Sequence, residues 1–175
     1  MRLCFFGAAE SSLSRGLSRQ LAQMDEWLTE HQLAFMEERW EAGMVCYEKV
    51  YELRRYHLRF MEESLLPLFR QHYPQPPSGA RPLYFEREKK LILKTMRPYA
   101  YLFPRLYMAG RMETLNLARL FDEYMYLKDL LDHHDAREKG FLFRLLDEGL
   151  SGERRSALLE RYRLGLRAFE GRWPE

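Results

Sequence analysis

Histidine and glutamate recur at positions where a helix would turn its apolar side inward. His31, His57 and His134 each stand in a series of apolar residues spaced three and four apart, and Glu138 follows His134 by four residues. Glu88 holds a similar position in a further segment. Imidazole and carboxylate groups are ligands for first-row transition metals, and each is costly to bury without a partner. These five residues therefore either hydrogen-bond to one another or bind a metal ion, iron above all.

The first two histidines are expected to lie at one level, because residues equidistant from a turn face each other in an antiparallel pair of helices. His31 and His57 are centred beside Gly43, where we expect a break between helices. His57 and Glu88 are centred on the edge of residues 73–82, which contain four prolines and must form a non-helical connection. The three side chains should therefore approach one layer.

The second half of the chain extends this layer. Glu88 and His134 are centred beside Gly110, and Glu138 lies one helical turn beyond His134 on nearly the same side. Such a layer inside a helical bundle suits a cage for a transition metal. The alternative is that these are polar core residues that pair with one another and fix the register of the helices.

The elements that must position these residues are helices. Apolar residues follow helical spacing over four long segments, and no short segment of alternating polarity indicates a strand. Pro98 and Pro104 are expected to kink or interrupt the third segment, and Ser151 is placed to start a short fifth helix. The sequence predicts an all-α fold, an up-down-up-down four-helix bundle with an additional C-terminal helix. We expect one domain over residues 1–175, with the core at about 13–148 and the last helix at about 151–169.

Predicted inward positions follow steps of three and four in each segment. They are, segment by segment, Leu17, Leu21, Met24, Leu28, His31 and Phe35; Val50, Leu53, His57, Met61, Leu65 and Leu68; Tyr84, Glu88, Leu91 and Thr95; Leu117, Leu120, Tyr124, Leu127, Leu131, His134, Glu138, Phe141 and Leu145; and Leu158, Leu159, Tyr162 and Leu166.

Composition excludes several classes of protein. The chain has 175 residues, 46% of them hydrophobic, and a formal net charge of +2, so no basic field favours nucleic acid as a partner. Cys4 and Cys46 have no partner at metal-ligand spacing, which favours a reducing, cytoplasmic setting. The apolar run near the N-terminus is too short for a signal peptide, and no stretch of about 20 apolar residues indicates a membrane span.

Two runs of the sequence resemble the signatures of the hemerythrin-like (HHE cation-binding) family. From His57 the chain reads HLRFMEESLLP, and from His134 it reads HDAREKGFLFR, which are similar to the family's His-x-x-x-Glu followed by a Leu-Phe-Pro-like run. Glu30 and His31 resemble its opening Glu-His pair. The resemblance spans roughly residues 20–148.

The resemblance implies an iron-binding bundle with specific ligands. It implies iron in a di-iron or mononuclear site, with manganese or zinc as other metals, held by the ligand set His31, His57, His134, Glu138, Glu88 and Glu62. The chain departs from the family where Met61 stands four residues after His57, in place of the usual glutamate, and where residues 86–90 contain no histidine. A carboxylate-rich di-iron site, a single metal and a vacant bundle all stay open at this stage.

What the resemblance implies about function is binding or sensing of oxygen, nitric oxide or iron, or a part in oxidative stress. The expected partners are a metal ion and a small diatomic ligand, with no nucleic acid and no membrane. The alternative is a metal-free bundle that acts as a protein-interaction or regulatory module with a degenerate site, which Met61, Lys89 and Lys90 favour. A ferritin-like oxidase needs Glu-x-x-His on two helices, and none occurs in the sequence. No nucleophile elbow or P-loop is present either, so the sequence gives no basis for claiming an enzyme.

Overall fold

A computed structural model describes residues 11–173, which form helices joined by short connections. Cys4 and the N-terminal apolar run lie outside the described residues. No strand occurs in residues 11–173, so the predicted all-α class is confirmed. The helices are α1 (Leu13–Met36), α2 (Trp40–Phe60), α3 (Leu66–His72), α4 (Pro82–Met108), α5 (Leu117–Arg137), α6 (Arg144–Gly149) and α7 (Gly152–Leu166). Two π-helical segments, Met61–Leu65 and Glu138–Phe143, join α2 to α3 and α5 to α6.

The four long helices form a closed series of contacts. Helix α1 packs against α2, α2 against α4, α4 against α5, and α5 with its π segment against α1. Burial of the apolar side chains that face the centre is the main favourable term in such packing. The short α7 also contacts α1 and places Leu159, Tyr162 and Leu166 in the core, as its spacing predicts.

The predicted inward series is confirmed for most of α1, α2 and α5 and is wrong for α4. Tyr84 and Thr95 are half-buried, and Leu91 is exposed. The buried residues of α4 are Phe85, Ile92, Met96 and Phe103. The inward face of this helix therefore runs one residue further along the chain than predicted, and Glu88 lies at its edge.

The predicted break beside Gly43 is wrong. The chain reverses between α1 and α2 at residues 37–39, and Gly43 lies within the first helical turns of α2. A Cβ atom at Gly43 would lie 2.3 Å from the ring of Phe35. The glycine is therefore needed because α1 and α2 approach each other closely, and not because the chain turns there.

Helix α4 continues through both of its prolines, so the predicted interruption is wrong. Pro98 and Pro104 are exposed, on the side where the carbonyl groups that lose their intrahelical partner can bond to water. On the buried side, the hydroxyl of Tyr47 on α2 donates to the carbonyl of Met96 at 2.8 Å. This bond ties the turn that precedes Pro98 to the neighbouring helix.

The start of α1 is fixed by a side chain from the far end of the chain. The backbone amides of Leu13 and Ser14 donate to the two carboxylate oxygens of Asp147 on α6, at 2.7 and 3.0 Å. The hydroxyl of Ser12 donates to the same carboxylate at 2.9 Å. A carboxylate at a helix N-terminus both satisfies free amides and interacts favourably with the helix dipole.

Candidate metal centre

The carboxylate of Glu138 is the centre of the candidate site. Its Oε2 atom lies 2.8 Å from Nε2 of His57, and its Oε1 atom lies 3.3 Å from Nε2 of His134. All three side chains are fully buried. Helix α2 supplies His57, α5 supplies His134, and the π segment that follows α5 supplies Glu138. Two imidazoles from different helices thus converge on one carboxylate.

The opposite nitrogen of each imidazole is held by an outer partner. Nδ1 of His57 lies 3.1 Å from the hydroxyl of Tyr162 on α7, and Nδ1 of His134 lies 2.9 Å from Oε2 of Glu88 on α4. Histidines that bind metals commonly direct their second ring nitrogen to such oxygen atoms, which fix the orientation of the ring. Both rings are therefore oriented with Nε2 toward Glu138.

Two of the facing atoms make no hydrogen bond. Nε2 of His134 and Oε1 of Glu138 are buried, and neither has a hydrogen-bond partner in the described part of the chain. Two donors bound side by side to one first-row metal at about 2.1 Å lie about 3 Å apart, close to the separation of each imidazole from Glu138. Two histidines and one carboxylate are also a donor set that suits iron. These three residues therefore fit an iron ion in donor type.

The arrangement in the structure is nevertheless a hydrogen-bonded one. Across residues 11–173, no three His, Cys, Asp or Glu side chains already stand in the arrangement of a metal centre. An ion bound by Nε2 of His57 and the carboxylate of Glu138 would have to replace the proton that now joins them. Metal binding at this position would therefore be accompanied by proton release.

Charges within the cluster balance each other. Burial would raise the pKa of Glu138, but the imidazoles of His57 and His134 hold it well below its usual range. Burial would lower the pKa of His134, but the charge of Glu138 and the hydrogen bond with Glu88 raise it to about 9. At neutral pH His134 is therefore an imidazolium between two carboxylates, which is a complete ionic network without a metal.

A second buried ion pair lies beside the cluster. Arg54 on α2, three residues before His57, donates to both carboxylate oxygens of Asp135 on α5, at 2.6 and 3.2 Å. The two residues therefore bridge the same pair of helices as the histidines do. The bidentate geometry sets the relative height of α2 and α5, and with it the distance between the two imidazoles.

Both histidines are followed by the same irregularity of the helix. A π-helical segment begins four residues after His57, at Met61, and another begins four residues after His134, at Glu138. Such segments insert one extra residue into a helical turn and are frequent at functional sites. The equivalent positions differ in chemistry, since Glu138 carries the carboxylate and Met61 is a fully buried apolar residue.

His31 does not belong to this cluster, and its predicted level is wrong. Because the chain turns at residues 37–39, His31 lies opposite Gly43 and not opposite His57. Its Nδ1 donates to the carbonyl of Gly43 at 2.8 Å, and its Nε2 accepts from the hydroxyl of Tyr124 at 2.9 Å. His57 is fourteen residues further along α2, about 21 Å along the helix axis. His31 is thus a core histidine with both nitrogens satisfied.

The two predicted glutamate ligands lie outside the centre. Glu88 bonds to Nδ1 of His134 and to Arg137, so it is an outer partner of the imidazole. Glu62 is half exposed and forms an ion pair with Lys89 at the surface. The structure therefore brings together three of the six predicted ligands, His57, His134 and Glu138, with Glu88 behind them.

Three residues that hold the centre in place, Tyr162, Arg54 and Asp135, were not predicted to do so from the sequence. Tyr162 was predicted as an inward residue of the last helix but not as a partner of His57. Arg54 and Asp135 were missed, although each is a charged residue next to the inward series. Their position next to the inward series could have indicated the ion pair, because a charge at the edge of a buried face needs a partner on the adjacent helix.

Comparison with protein-family models, with curated proteins and with solved structures finds no match for this chain. Among the described residues, no helix is both long enough and apolar enough to cross a membrane.

Proposed function

We propose that this protein is a hemerythrin-like metal-binding protein in which His57, His134 and Glu138 bind a single iron ion. The observation that supports the proposal is the convergence of two imidazole Nε2 atoms on one buried carboxylate, with both Nδ1 atoms held by other residues. The proposal includes an up-down-up-down bundle of α1, α2, α4 and α5, with α7 as the additional helix. It also includes a reducing, cytoplasmic setting, in which ferrous iron is available.

A mononuclear site is favoured over a di-iron site by the positions of two residues. His31 is fully bonded elsewhere, and Met61 places a thioether where the hemerythrin-like signature has a carboxylate. Three protein donors leave coordination positions open on a metal ion, which is what binding of oxygen or nitric oxide would require. We therefore assign the protein a role in binding or sensing of such a ligand or of iron itself.

Each residue around the ion would have a defined task. In the metal-free protein the ionised Glu138 can only accept, so Nε2 of His57 donates to it, and Nδ1 faces the hydroxyl of Tyr162. If Nε2 bound a metal, Nδ1 would carry the proton and Tyr162 would be its acceptor. The hydroxyl of Tyr162 can turn to serve either state, whereas Glu88 accepts from Nδ1 of His134 in both.

Metal content and metal titration test the proposal. Protein purified under iron-replete conditions is analysed for metal, and metal-free protein is titrated anaerobically with Fe²⁺, with Co²⁺ as a spectroscopic substitute. We expect one equivalent per chain, loss of binding in Glu138→Gln, and about 10–100-fold weaker binding in Glu88→Gln. His31→Asn is the matched control, because it removes a buried histidine outside the cluster, and it should still bind one equivalent.

Two results would overturn this proposal. One is less than about a tenth of an equivalent of iron, manganese or zinc in the purified protein, together with no saturable uptake of Fe²⁺ or Co²⁺ by the folded metal-free protein. The other is binding that His31→Asn abolishes and Glu138→Gln leaves intact.

The second candidate function is a metal-free interaction or regulatory module. It is favoured by one specific observation, the complete ionic network of His134 with Glu88 and Glu138. If that network only fixes register, His134→Ala lowers the thermal stability by the same amount with and without added Fe²⁺. A loss several degrees larger in the presence of the metal would argue against this candidate.

A further inference from the structure

A cavity of about 430 Å³ lies between α2 and α4, away from the candidate metal centre. Aromatic rings form much of its wall: Tyr47, Tyr51, Tyr99, Tyr101, Phe103 and Tyr107. Its volume is within the range of about 300–1,000 Å³ that is typical of small-molecule sites. The cavity lies at the level of His31, whose ring packs behind Tyr47 and Phe103 at centroid distances of 5.0 and 5.4 Å.

Charged residues of this cavity all carry the same sign. Glu41, Glu48 and Glu52 line it, and none of the described residues that line it is Lys, Arg or His. Glu48 pairs with Arg172 and Glu52 with Arg55, both from outside the lining. Glu41 makes no ion pair within residues 11–173. Of the three carboxylates, Glu41 is therefore the one whose charge no described ion pair offsets.

Two tyrosines of the wall already bind cations through their rings. The guanidinium of Arg55 lies 5.4 Å from the ring centroid of Tyr51, and that of Arg97 lies 5.9 Å from the ring centroid of Tyr101. The face of an aromatic ring attracts a cation electrostatically, and several rings around one cavity favour alkylated ammonium groups, whose alkyl surface also gains from leaving water.

We propose that the aromatic cavity between α2 and α4 binds a small organic cation with an alkylated ammonium group. The rings would contact the alkyl groups, and Glu41 would supply a negative charge that forms no ion pair in the described part of the chain. An anionic ligand would be repelled by the carboxylate of Glu41, and a neutral apolar ligand would gain nothing from it. This site involves none of the proposed metal ligands, so its test is independent of that proposal.

Choline and its uncharged isostere 3,3-dimethylbutan-1-ol distinguish a cation site from an apolar pocket. The two molecules have nearly the same shape and differ in the charge of the central atom. We expect saturable binding of choline to the full chain by calorimetry and ligand-observed NMR, and at least tenfold weaker binding of the alcohol. A tenfold difference corresponds to about 1.4 kcal/mol, which is within the range of one or two cation–π contacts.

Two variants locate the binding. Tyr107 lines the cavity and is 41% exposed, so Tyr107→Leu should preserve the fold and weaken choline binding severalfold. Glu41→Gln should also weaken it. Tyr126→Leu is the control, since Tyr126 is a similarly exposed tyrosine on α5 that does not line the cavity. Circular dichroism spectra confirm that each variant is folded.

Three results would overturn this proposal. The first is no saturable choline binding up to about 100 mM, because a site that is not filled at that concentration is too weak to be specific. The second is equal affinity for the alcohol and choline, which would indicate an apolar pocket, and the third is an equal effect of Tyr107→Leu and Tyr126→Leu, which would place the binding elsewhere.

Discussion

His31 should make the protein less stable in mild acid. Burial lowers the pKa of His31 to about 4, although its hydrogen bond to the carbonyl of Gly43 opposes the shift in part. In the unfolded chain the imidazole has a pKa of about 6.5. Between these values the unfolded state binds a proton that the folded state does not, so the free energy of unfolding falls as the pH drops from about 6.5 to 4.

The size of this effect follows from the two pKa values. One pKa unit corresponds to about 1.4 kcal/mol, so the full shift is worth about 3 kcal/mol once the pH is below 4, and about 2 kcal/mol is already lost at pH 5. Such a loss is a large part of the stability of a typical domain. The His134 imidazole has the opposite sign: its pKa of about 9 contributes stability that is present below pH 6.5 and lost as the pH rises through 9.

Urea denaturation of wild type and His31→Asn at pH 7.5 and pH 5 isolates the contribution of His31. The asparagine amide can still donate to Gly43 but leaves Tyr124 without an acceptor, so the variant is less stable at pH 7.5. We expect its deficit relative to wild type to shrink by about 2 kcal/mol at pH 5, because only wild type carries the buried imidazole. Groups common to both proteins, including His134, cancel in this comparison.

A deficit that stays constant to within about 0.5 kcal/mol between the two pH values would refute this reasoning. NMR supplies an independent measurement, since the ring protons of His31 in the folded protein should titrate with a midpoint near pH 4. A midpoint near the ordinary value of about 6.5 would contradict the burial argument directly.

Two further predictions concern packing and ion pairing, and both are measured by urea denaturation. Gly165→Ala should lower the free energy of unfolding by about 1–3 kcal/mol, because the added Cβ would lie 2.1 Å from the hydroxyl oxygen of Tyr56. Gly140→Ala is the control, since no atom lies within 4 Å of a Cβ at that position, and equal losses of stability in the two variants would contradict the steric argument. Arg54→Met should lower the free energy of unfolding by about 3–5 kcal/mol, because it leaves the charge of Asp135 unpaired. Adding Asp135→Leu should recover most of that loss, and a double variant as unstable as the single one would count against the ion pair.

The helices were predictable because their signal is local. Apolar spacing identified the cores of α1, α2, α5 and α7, and Ser151 marked the start of α7, where its side chain accepts from the amide of Arg154. The proline-rich stretch before Pro82 marked the longest connection. Each of these features depends on residues within one or two turns of the chain.

Positions that depend on contacts between helices were less accessible. Gly43 was interpreted as a break, although its function is to let the ring of Phe35 approach α2. Pro98 and Pro104 do not end α4, because tertiary contacts and solvated carbonyl groups outweigh the local preference. A glycine that breaks a helix and a glycine that lets two helices approach closely look the same in a sequence. So do a proline that ends a helix and a proline that the helix continues through.

The residues of the candidate site also differ in whether local spacing or contacts between helices determine their position. His134 and Glu138 were placed together correctly because a spacing of four residues fixes their proximity within one helix. His57 joins them as predicted, whereas His31 does not, since its level depended on a turn whose position was displaced by about five residues. The π segments could not be foreseen, because the runs that form them have ordinary helical composition.

The hydrogen bonds between Asp147 and the first residues of α1 cannot form early during synthesis of the chain on the ribosome. The amides of Leu13 and Ser14 leave the ribosome well before their acceptor, which follows more than 130 residues later. Until Asp147 has left the exit tunnel, these two amides lack their acceptor and can bond only to water. The amides of Leu13 and Ser14 should therefore be the last in α1 to gain protection from hydrogen exchange.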